Sequence, residues 1–255
     1  MIIRQEQMQA LEAAGEARFE TEMLEHLKAA YPRAVAGIDD DQIRKLISQG
    51  AERARGYGFQ ARGPVRMYVE FQVILGHQFD EDPLLYWIRD ILGDNEGLDE
   101  MTQAGRLHQH LSTYLELVYG PDGEHVAKGL ERIANASPQE LVTVGRSFES
   151  SAIPWLQALH PRKCAYAGPA ALANLMGEAR QGAAKFALPE PEGPPLALGL
   201  MFAFGSGVMT DPLFPWIAAS LGEGAPADPR ARMERLIGRA QAFLRQAVEN
   251  RKKAS

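Results

Sequence analysis

The sequence predicts an all-α protein made of two tandem, internally duplicated helical units of about five helices each. Three observations predict it. Apolar residues recur at helical spacing, as in Phe19, Met23, Leu24 and Leu27. No stretch alternates apolar and polar residues as a half-buried strand would. The segment FDEDPLLYWIRDILGD (79–94) returns as VMTDPLFPWIAASLGE (208–223), with Asp82 and Asp211 lying 129 positions apart.

The same offset carries Gly76 onto Gly205, Pro83 onto Pro212, Trp87 onto Trp216 and Gly93 onto Gly222. Extended without a gap, it pairs Phe19 and Glu20 with Phe148 and Glu149, Pro32 and Arg33 with Pro161 and Arg162, and Arg106 and Leu107 with Arg235 and Leu236. About one position in five is identical between 19–118 and 148–247, and many others keep their apolar character. The chain divides accordingly into a first repeat (1–118), a connector (119–136) and a second repeat (137–255).

Each element has its own signal. The stripe from Phe19 to Leu27 predicts a first long helix that Pro32 ends, as Pro161 does in the second copy. Asp39, Asp40 and Asp41 stand where they would cap a second helix, whose face is Ile43, Leu46 and Ile47. From Gly193 to Gly222 the only charged residue is Asp211, which predicts a helix buried on all sides, at the seam between the copies. Its counterpart in the first copy carries Arg66, Glu70 and His77 and is expected nearer to solvent. The repeated motif then opens a fourth helix: Asp82 and Asp211 are its N-caps, and Pro83 and Pro212 occupy the first helical position. Leu84, Trp87, Ile88 and Leu92 share one face, so Trp87 and Trp216 should plug equivalent core positions, with Gly93 and Gly222 making left-handed C-terminal turns. Met233, Leu236, Ile237, Ala240 and Leu244 trace the last helix, and a short helix to Ala136 joins the copies.

Composition narrows the function classes. With 45% hydrophobic and 24% charged residues over 255 positions, the chain is expected to bury a core. The start, MIIRQEQMQALEAAGE, has no signal-peptide core and no apolar run reaches membrane-spanning length, so the reading is a cytoplasmic protein without a membrane span. The single cysteine, Cys164, excludes an intramolecular disulfide and a Cys-rich zinc site. Residues 1–127 hold 12 Lys and Arg against 22 Asp and Glu, and residues 128–255 hold 15 against 11. The halves therefore carry about −10 and +4. An acidic first half argues against nucleic acid as the partner, and the basic run Arg230, Arg232, Arg235 and Arg239 reads as a solvated helix face.

No catalytic motif emerges. Ser147, Ser150 and Ser151 lack a nucleophile elbow, and Gly205-Ser206-Gly207 is too short for a phosphate cradle. His77, Asp80, Glu81 and Asp82, with His108 and His110, form the densest set of potential metal ligands, and His77, Asp80 and His108 define the alternative of a helical metal-dependent enzyme. Against it, His108 and His110 are two apart on a helix, and the second copy has none of these histidines. No metal or other cofactor is therefore expected. The preferred reading is a protein-binding surface formed by Asp39, Asp40, Asp41, Asp80 and Glu81, extended by Asp94 to Glu100.

The order RQEQMQALE, FETEMLEHLKAAYP, DDDQIRKLISQGAERARGYGF and YVEFQVILGHQFDEDPLLYWIRDIL, over residues 4 to 92, resembles uncharacterised helical proteins associated with bacterial type VI secretion loci, near spike and effector genes. Its most recognisable part is Gly76, Phe79, Asp80, Pro83, Trp87 and Leu92. Members often have Pro-Trp where this chain has Tyr86-Trp87, and the second copy does have Pro215-Trp216. The resemblance implies a non-enzymatic accessory, adaptor or chaperone-like protein for a secreted effector, or alternatively an immunity protein that neutralises a toxin.

Overall fold

In the computed structural model, which describes residues 5–93, 97–222 and 224–252, the described residues form twelve α-helices and no strand. The first half supplies α1 (Gln5–Ala30), α2 (Asp40–Gly56), α3 (Arg62–Leu75), α4 (Tyr86–Gly93) and α5 (Glu100–Tyr114). A π-helical turn (Leu115–Tyr119), a 3₁₀ turn (Pro121–Gly123) and α6 (Glu124–Ala134) follow. The second half supplies α7 (Pro138–Arg146), α8 (Phe148–Leu159), α9 (Pro161–Lys185), α10 (Gly193–Phe204), α11 (Pro215–Leu221) and α12 (Pro229–Lys252).

Helix boundaries recur at the 129-residue offset. Shifted by it, α4 and α5 begin where α11 and α12 begin, α3 ends where α10 ends, and α1 ends where α8 ends. Two differences stand out. The counterpart of α1 is split into α7 and α8 at Ser147. The counterpart of α2 is fused into α9, where Gly168 (φ 80°, ψ 167°) breaks the helix and Pro169 restarts it at the position equivalent to Asp40.

Local chemistry explains most helix starts. Asp99 accepts hydrogen bonds from the Met101 and Thr102 N–H groups, 3.0 Å each, and caps α5. Asp39 occupies the N-cap position of α2 without a side-chain capping bond, while Asp40 and Asp41 lie in the first turn, where the helix dipole favours them. In the repeated motif the expected caps are modified. Asp82 caps a 3₁₀ turn (Pro83–Leu85) that leads straight into α4. Asp211 closes only a turn, and α11 starts later, at Pro215. Neither motif glycine makes the left-handed turn expected of it. Gly93 is the last residue of α4 with φ outside that region, and Gly222 (φ −90°, ψ −156°) leaves α11 in an extended direction after its N–H has bonded Ala218 O at 2.7 Å. A left-handed residue is needed only where the chain folds back over the last turn, which an extended exit avoids.

Two core clusters lie in the first half and one in the second. All residues from Gly193 to Phe202 are buried, and α10 packs on α9, α7, α8 and α6. The first part of the apolar stretch is thus central to the second half, whereas residues from Phe204 to Leu213 reach the seam where the stretch was expected to lie. In α3, Arg66 is exposed as expected, but His77 beyond its end is 5% exposed, because the following loop turns into the seam. The basic run on α12 is more than a solvated face: Arg232 donates to Phe186 O (3.1 Å) and Arg239 to Trp216 O (3.2 Å).

Candidate functional site

The two copies of the motif meet. The carboxylate of Asp82 accepts the Leu84 N–H on one oxygen (2.8 Å) and, across the seam, the Ser206 N–H on the other (2.9 Å). Asp211 does the same with its own Leu213 N–H (2.8 Å) and the His77 N–H (3.1 Å). Each residue in one set lies 129 positions from its counterpart in the other, so the bonds are reciprocal. The glycines before them are reciprocal too. A Cβ on Gly76 (φ 103°) would overlap Phe204 O, and one on Gly205 (φ 97°) would come within 2.8 Å of Leu75 O. Finally, Leu84 of the first motif packs in the second-half core, and Leu213 of the second motif packs in a first-half core.

This clasp borders a crevice of about 200 Å³ whose wall includes Gln72, Asp82, Tyr114, Tyr119, Lys163, Phe204, Asp211 and Phe214. Burial raises the Asp82 pKa, opposed by the positive field of Lys163. Burial pushes Asp211 up to about 6, opposed only by its two backbone N–H donors. Lys163 Nζ donates to Phe202 O at 2.6 Å and lies over the Phe202 ring, and burial lowers its pKa against the pull of Asp82. Tyr119 donates its hydroxyl to Ile74 O at 3.0 Å, and burial pushes it up to about 12.

The residues singled out in the sequence are distributed among several places. Asp39, Asp40, Asp41 and Glu81 are exposed, with Lys28 on Asp40 at 2.5 Å. Asp80 is not part of that surface. Its side chain is 0% exposed, held by Arg53 at 2.5 Å and by the Tyr57 hydroxyl at 2.8 Å, because a carboxylate turned into the core requires a cation and donors there. Of the Asp94 to Glu100 stretch, residues 94–96 lie outside the described residues, and Glu100 is committed to the Gln60 and Ala61 N–H groups. The alternative metal set does not assemble: His77 is buried, His108 and His110 are exposed on α5, and His110 stacks on Trp87 with centroids 5.5 Å apart. No group of three or more potential ligands converges among the described residues. Trp87 is buried (5% exposed), whereas Trp216 is half-buried, against Phe214 and Phe243.

Sequence reasoning passed over Lys163, Tyr114, Tyr119, Arg53 and Gln72. Lys163 had one available signal, since it is a charge set immediately before the buried Cys164 where the first copy has Ala34. No known protein family, curated protein or solved structure matches the chain. No helix among the described residues is long and apolar enough to cross a membrane.

Proposed function

We propose that this chain is the product of a tandem duplication and acts as a non-enzymatic adaptor that binds another protein through the acidic face of its first half. On the resemblance over residues 4 to 92, the partner is a secreted type VI effector with a basic surface, met in the cytoplasm. The supporting observation is that Asp39, Asp40 and Asp41 stand exposed together at the start of α2, on a half with 12 basic and 22 acidic residues. Exposed charges of one sign steer association more than they hold a fold. An immunity protein would use the same face, and the two roles separate by whether stoichiometric protein inhibits the partner's toxicity or only carries it.

The experiment is association kinetics with the effector encoded beside this gene. Asp39→Lys with Asp41→Lys should slow association about tenfold at low salt and leave the melting temperature nearly unchanged. An unchanged association rate would remove the acidic face from the interface.

A further inference from the structure

We infer that the seam crevice is a binding site for a small primary ammonium compound. Asp211 is 3% exposed, and its carboxylate receives two backbone N–H groups but no cation: none of the ion pairs among the described residues includes it. The reciprocal carboxylate, Asp82, does lie in the field of an ammonium group, that of Lys163. The 129-residue offset puts Ala34 where the matching lysine for Asp211 would stand. The crevice wall therefore holds two buried carboxylates but one ammonium group, which acts on Asp82 alone, and the ionised crevice is one positive charge short.

The other wall groups suit the same ligand. Gln72 is 1% exposed and keeps a buried Oε1 without a partner, which leaves an acceptor for an N–H donor. Tyr114, Phe204 and Phe214 supply aromatic surface, which attracts ammonium groups and excludes small anions. A free anion would meet Lys163 but also two carboxylates. A volume of about 200 Å³ accommodates a ligand of a few heavy atoms.

The test is titration of the full chain with n-butylamine and ethanolamine, and with 1-butanol as the uncharged counterpart, followed by NMR and calorimetry. One amine per chain should bind saturably, about tenfold or more tighter than butanol. Asp211→Asn should remove that preference, and Asp41→Asn, an exposed acid, should keep it. If Asp211→Asn fails to fold, Gln72→Leu should still weaken amine binding severalfold. Absence of saturable amine binding at tens of millimolar, equal affinity for butanol, or undiminished binding to a folded Asp211→Asn or Gln72→Leu variant would each overturn the assignment.

Discussion

Asp80 and Asp82 are two residues apart and 3% exposed each, yet they serve different partners. Asp80 spends its charge inside the first half on Arg53, and Asp82 reaches across the seam. Arg53 is partly exposed and keeps Glu81 at 3.0 Å when Asp80 loses its charge, so Asp80→Asn should cost about 2 kcal/mol by urea unfolding, whereas exposed Asp41→Asn should stay within about 0.5 kcal/mol. A different residue contributes to acid sensitivity. His160 is 6% exposed, burial holds it down at about 4, and its Nδ1 accepts the Lys163 N–H (3.2 Å) as the N-cap of α9. Charging the ring consumes that acceptor. The unfolded chain takes up this proton at the ordinary value of 6.5, so the folded state binds fewer protons below it and stability is lost as pH falls from about 6.5 to about 4. Asp211 has the opposite sign: raised from 3.8 to about 6, it adds stability as pH falls through that window. Thermal melts between pH 4 and 7 should therefore show a shallower acid loss for His160→Asn, which keeps a capping oxygen, and a steeper one for Asp211→Asn.

At the scale of single elements, what was legible was whatever local chemistry decides. Pro32 and Pro161 mark helix breaks, Asp82 caps its turn, and α6 ends at Ala134, close to the expected Ala136. The C-terminal turns were not legible, because Gly93 and Gly222 take the conformation their exit path requires, and that path is tertiary. The burial of α10 was legible from its uniform apolarity, but not what would cover it, since an apolar helix suits any apolar surroundings. The kink in α9 yields a clean prediction. Gly168 has open space around a hypothetical Cβ, so the cost of Gly168→Ala comes from the backbone alone, and because φ 80° with ψ 167° is a conformation essentially confined to glycine it should be about 2 to 3 kcal/mol by chemical denaturation. The tryptophans should also part company. Trp87→Ala should cost about 3 to 5 kcal/mol, and Trp216→Ala less, because Trp216 is only partly buried against its core.

At the scale of the whole molecule, the repeated motif joins the halves, which its capping role alone does not reveal. The sequence shows Asp82 and Asp211 as equivalent residues, but hydrogen bonds between positions 124 and 134 residues apart leave no periodic trace in it. Reciprocity has an energetic consequence that locality would not suggest. Leu84 belongs to the first half in sequence but is 1% exposed in the core built by α8, α9 and α10, while Leu213 sits among Met23, Leu27, Ile43 and Val69. Each half therefore completes the core of the other, and emptying either site should cost about 2 to 5 kcal/mol. Where that loss registers is the sharper measurement. In Leu84→Ala, amide exchange should accelerate most in α9 and α10, with α1 and α2 retaining more of their protection, and Leu213→Ala should reverse that order, because local opening follows the core that has lost its contacts. Faster exchange confined in each variant to the half that carries the substitution would mean that the two halves are stabilised separately and the clasp contributes little to either.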